Sequence, residues 1–155
     1  MILRLRTAAF VLALICLIAP LARADASDDQ GGSSQAEFSV RDVQGATAFA
    51  FDGFATVGGV VAPAAAVGRF VADGRGHLND GVRTLVVGGT TLHQTFTCTY
   101  TVNSNGTGSA ICVVMTGAVP SDESFDFVIV ERKKSAYFTG TTPGVTIRGL
   151  TQRQQ

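Results

Sequence analysis

The residues with chemistry to offer are two cysteines, two tyrosines and a few charges set inside apolar runs. Cys98 and Cys112 flank Ser104-Asn105-Gly106 within the stretch TFTCTYTVNSNGTGSAICVVM. If those three residues form a hairpin loop with Gly106 left-handed, Asn103 faces Thr107, and Cys98 falls directly opposite Cys112. Opposed residues on antiparallel strands have Cα atoms roughly 4.5 to 5.5 Å apart, within disulfide range. The turn therefore predicts a disulfide; two unpaired core cysteines are the alternative.

The charges follow a second pattern. Asp52 lies between Phe51 and Gly53-Phe54, Asp126 lies between Phe125 and Phe127, and Arg69, Arg83 and Arg148 interrupt aliphatic runs. Pairing across a turn at Gly76 sets Arg69 opposite Gly81 and Arg83 opposite Val67, so the two arginines are expected to share a face. Each charge can simply mark the outer side of its strand. The functional alternative makes Asp52, Arg69, Arg83, Asp126, Tyr100 and Tyr137 polar anchors in an otherwise apolar lumen. A buried arginine would then need Asp52, Asp126 or a ligand oxygen as partner.

Other chemistries find no support in the spacing. His77 and His93 have no second ligand at a metal-binding spacing and read as surface residues, so no metal or cofactor is expected. There is no nucleophile-elbow, deaminase or metalloprotease signature, and Gly58-Gly59 and Gly88-Gly89 precede no helix that would cradle phosphate.

The compartment is read from the N-terminus. Residues 1–24 resemble a secretory signal: Arg4 and Arg6, an apolar stretch from Thr7 to Leu21, then Ala22-Arg23-Ala24. That apolar stretch is too short for a membrane span, which needs about 20 residues. Cleavage after Ala24 would remove Cys16 and leave Cys98 and Cys112 in a periplasmic or extracellular, oxidising setting. It would also leave nine basic residues against twelve acidic ones, a net charge of −3 with no basic patch for nucleic acid. Residues 25–37 read as a flexible polar leader and 38–155 as a single domain.

The elements that must position these side chains are strands. From Phe38 onward no window carries a helical apolar stripe, and the only helix expected is that of the cleaved signal ahead of it. Expected strand runs are Thr47–Phe54, Val57–Ala72 with a split near Pro63, His77–Val87, Thr90–Asn103, the arm after Gly106, Phe125–Glu131, Ser135–Thr141 and Val145–Thr151. Val119–Glu123 reads as a loop and Arg132–Lys134 as a charged turn. About eight strands with short connections predict an all-β, antiparallel up-and-down barrel, which leaves no exposed sheet edge. Strands that are apolar on both faces, such as Phe125 to Val130, also predict a covered exterior and hence a homo-oligomer.

The succession FAFDGF, AAVGRFVADGRGHL, TFTCTYTVNSNGTGSA and FDFVIV resembles small exported bacterial β proteins of unknown role. In strand count and hairpin order it is also similar to the barrel of the allene oxide cyclase and dirigent superfamily. That resemblance implies a cavity for a small apolar molecule, a dimer or trimer, and in the enzymes the steering of a reactive intermediate into a ring. No catalytic motif carries over. Three functions follow as expectations: a barrel that binds a small apolar ligand, a cyclase or isomerase acting by cavity shape, and a structural envelope protein with a filled lumen. A cavity of about 300 Å³ or more with an inward Asp, Arg or Tyr would favour the first two.

Overall fold

A computed structural model describes residues 37–130 and 133–155. The expected signal segment, Cys16, nearly all of the leader, Glu131 and Arg132 lie outside the described residues. A 3₁₀ turn at Val40–Asp42 precedes eight strands: β1 Gln44–Val57, β2 Val60–Asp73, β3 His77–Val87, β4 Thr90–Val102, β5 Thr107–Thr116, β6 Val119–Val130, β7 Ser135–Gly140 and β8 Val145–Arg153. Each strand pairs antiparallel with the next and β8 returns to β1, closing an up-and-down barrel.

Turn chemistry sets the registers. Gly58-Gly59 and Gly88-Gly89, all four with positive φ, close two-residue hairpins at one end of the barrel. At the other end the Asn103 N–H donates to the Thr107 carbonyl (2.8 Å), and Gly106 takes φ 86°. The residue pairs that follow place Cys98 opposite Cys112, and the two form a disulfide with a Cα separation of 4.0 Å. That short separation follows from the alternation: the Asn103 N–H bond to the Thr107 carbonyl marks that pair as the hydrogen-bonded kind, so Cys98 and Cys112, an odd number of steps away, form the closer, non-bonded kind of pair.

Three expectations are corrected. β2 does not split at Pro63, which pairs with Phe54 inside an unbroken strand. The Pro63 carbonyl accepts from Gly88 N–H in the β3–β4 turn, so its missing donor points at that turn and removes nothing from the β1 ladder. Val57 ends β1 rather than starting β2. Val119–Glu123 is strand, because Gly117 with φ 61° and Ala118 make the reversal alone.

Seven phenylalanines face the lumen or pack against its core, on β1, β2, β4, β6 and β7, and six of them, all but Phe127, make ring contacts with centroids 5.8 to 6.5 Å apart. Four of them sit directly opposite a glycine: Phe49 and Gly68, Phe96 and Gly81, Phe127 and Gly108, Phe138 and Gly149. A Cβ on any of these glycines would lie under 3.0 Å from a ring carbon. Glycine is thus spent inside strands as well as at corners. One ring in each of the β1–β2, β3–β4, β5–β6 and β7–β8 pairs lies down against the wall, as in aromatic rescue of strand glycines. The outer face carries Asp52, His93, Asp126 and Arg148 beside exposed valines. The interior is largely aromatic, and the outer face mixes charges with exposed aliphatic side chains.

Candidate functional site

One residue inserted in β3 decides what faces the lumen. Near the Gly76 turn Ala72 pairs with Leu78 and Val71 with Asn79, but beyond it Arg69 pairs with Val82. The β3–β4 ladder shifts at the same point, from Leu78–Cys98 to Gly81–Phe96. The extra residue is Asp80, which adopts φ 51° as a β-bulge. Because side chains alternate, the bulge turns every later residue of β3 to the opposite face. Arg83 is brought inside, 6 % exposed, while Arg69 stays outside. The two arginines therefore do not share a face.

Inside, the Arg83 guanidinium is held by partners the sequence did not nominate. Nη1 and Nη2 donate to the two carboxylate oxygens of Glu123 at 2.7 and 2.5 Å, and Nε donates to Gln94 Oε1 at 2.6 Å. The Gln94 amide donates onward to the Thr116 hydroxyl at 2.6 Å, and the guanidinium carbon lies 5.8 Å from the centre of the Phe51 ring. This is fork-to-fork pairing in a desolvated setting, where charge-assisted bonds are strongest. Glu123 reaches the site because strand geometry continues back to Gly117, which sets it opposite Cys112. Reading Gly117-Ala118 as a two-residue turn was the available signal.

Beside this pair lies an apolar cavity of about 110 Å³, bordered by Phe51, Phe96, Phe125, Ala110, Ala136 and the Cys98–Cys112 bridge, with Arg83 on its wall. The volume is well below the 300 Å³ expected for a ligand-sized lumen, since the phenylalanines occupy most of the interior.

Tyr100 also borders the cavity, but its hydroxyl is engaged elsewhere. It lies 2.7 Å from the Val43 carbonyl and 3.0 Å from that of Val40, donating its one proton into the segment that covers this barrel end. Burial raises its pKa. The other four expected anchors sit outside the lumen. Asp52 is an exposed partner of exposed Arg148 at 4.0 Å, a pairing worth little. Arg69 points to solvent, and Asp126 and Tyr137 both border an outer groove across β5, β6 and β7. The His77 ring lies 3.1 Å from Asp73 and His93 lies 3.3 Å from the Thr84 hydroxyl; among the described residues no three His, Cys, Asp or Glu side chains gather. No family model, curated protein or solved structure matches the chain, so the similarity to the allene oxide cyclase and dirigent barrels is one of strand count and hairpin order.

Proposed function

We propose that this chain is an exported barrel that holds one small aromatic or apolar molecule beside Arg83. The observation that carries the reading is the void itself. A closed, unfilled apolar cavity costs about 24 cal/mol per Å³, so 110 Å³ sets an upper bound of about 2 to 3 kcal/mol for this partly open one. Two alanines, Ala110 and Ala136, border it where larger side chains would fill it. A guanidinium has five N–H donors, and the described contacts of Arg83 use three, which leaves donors for a carbonyl or phenol oxygen on a bound molecule. A cavity of roughly 150 Å³ admits benzene, so one of about 110 Å³ takes at most a single small ring. The polyene a cyclase would fold does not fit this volume, which weighs against the cyclase reading.

The second reading, a structural envelope barrel, is favoured by the extent to which phenylalanine already fills the lumen. Calorimetry and thermal shift with benzaldehyde, phenol and toluene separate the two. The expected result is saturable binding of benzaldehyde or phenol more tightly than toluene, abolished by Ala110→Leu without loss of melting temperature. Absence of binding by all three at millimolar concentration, with Ala110→Leu stabilising, would establish the filled barrel instead.

A further inference from the structure

On the outside of the barrel, β5, β6 and β7 form an open groove of about 560 Å³. Strand pairing places Ser109, Asp126 and Thr139 side by side across it, since Asp126 is opposite both of the others. Neighbouring strands are about 4.8 Å apart, so the row presents hydroxyl, carboxylate and hydroxyl at close intervals, with Thr139 donating its own proton to the Ile147 carbonyl and Ser109 bonded to the Thr101 hydroxyl, which leaves lone pairs on both to accept. Two residues further along lies a second row, Thr107, Val128 and Tyr137, in which Tyr137 is 56 % exposed and Val128 39 %. An exposed aromatic face thus stands beside a polar row at about 7 Å along the strand.

From this juxtaposition we infer that the groove is a binding site for a neutral pyranose saccharide. The Tyr137 ring offers an amphipathic platform for the C–H face of a sugar ring. The Asp126 carboxylate, which no described cation pairs, accepts from two neighbouring sugar hydroxyls in charge-assisted bonds. The same carboxylate repels phosphate, sulfate and uronate; the groove's lining carries no cation, and Arg148, opposite Thr139 on β8, stands beside Asp52. A lone carboxylate is a poor cation cage. A closed barrel leaves no free strand edge for an extended peptide to extend. The groove lies on the outer wall, so this inference does not depend on occupancy of the lumen.

The test is titration of the ¹⁵N-labelled protein with cellotetraose and with α-mannotriose, with trigalacturonate, trilysine and calcium chloride as contrasts. The expected result is saturable shifts of the Ser109, Asp126, Tyr137 and Thr139 amides with at least one neutral sugar and none with the contrasts. Asp126→Ala and Tyr137→Ala should each weaken that binding at least tenfold, whereas Ala110→Leu in the lumen should leave it unchanged. Both groove side chains are exposed, so melting temperatures should stay at the parent value; Ser109→Val provides a third probe of the same row. Lack of response to both neutral sugars, shifts that survive both alanine substitutions, or binding of trilysine or calcium in their place would overturn the inference.

Discussion

Arg83 is the residue whose environment is most constrained, because its side chain is 4 % exposed and its charge is met by a Glu123 that is 23 % exposed. Burying an ion pair is seldom a large net gain, but removing one member leaves a charge without water or partner. Glu123→Ala should therefore destabilise the fold by about 3 kcal/mol, somewhat less than for a fully buried pair, because solvent reaches the vacated position. Replacing both residues, as Arg83→Met with Glu123→Leu, should recover most of that loss. Urea unfolding of Arg83→Met, of Glu123→Leu and of the double variant gives the coupling energy directly. Equal instability of Glu123→Ala and the double variant would show that the pair acts by shape and not by charge. The sequence disclosed three arginines amid apolar neighbours but neither which of them turns inward nor its partner: Pro120, Ser121, Asp122 and Glu123 are each common in loops, and only the two-residue turn before them restores strand alternation.

The strand that carries Arg83 shows how an element can be predicted correctly and still face the wrong way. His77–Val87 is legible from its β-branched content and flanking turns, and β4–β5 from a loop that fixes every pair down to the cysteines. Asp80-Gly81 reads as a turn-prone dipeptide, yet here the chain continues through it with one extra residue. Deleting Asp80 removes the extra residue and leaves a regular strand with Leu78, Gly81 and Arg83 still inward, whereas inserting an alanine between Gly81 and Val82 should turn the rest of β3, sending Arg83 outward and Val82, Thr84 and Val86 inward over the Phe51 ring and the Glu123 carboxylate. The insertion variant should lose its cooperative urea transition, whereas Asp80→Gly, which tolerates the left-handed backbone, should remain within about 1 kcal/mol of the parent. An insertion variant that unfolds like the parent would mean that the register of β3 does not set the lumen face. The phenylalanine and glycine pairs were missed for a related reason: glycine inside a strand looks like a break until the register shows a ring lying on it.

At the scale of the whole barrel, one end is covered by a segment that ties separate hairpins together. Phe38 N–H donates to Ser104 O at 3.1 Å, Asp42 pairs with Lys133 at 2.8 Å, the Arg153 guanidinium donates to the Asp42 carbonyl at 3.1 Å, and Tyr100 reaches Val43. Partial burial opposes ionisation of Asp42, but the bonds from Lys133 and from the Ser39 N–H outweigh it and hold the carboxyl below its ordinary 3.8. Asp73, in the adjoining turn, is lowered as well, by the N–H groups of His77 and Arg75. A lowered folded-state pKa gives stability that is present above the ordinary value and lost as pH falls through the folded value. Tyr100 runs the other way: burial raises its pKa above 10.0, so its contribution is present below that value and lost as pH climbs through the folded one. This barrel end should accordingly loosen below about pH 4 and above about pH 10 and stay closed between, while the disulfide-bridged β4 and β5 remain protected. Exchange of the Phe38 amide, followed across pH and corrected for intrinsic rates, reports the opening. Asp42→Asn should weaken the segment at neutral pH and blunt the acid limb, and Tyr100→Phe should abolish the alkaline one. An alkaline limb that persists in Tyr100→Phe would place the opening on another group and leave the covering segment passive.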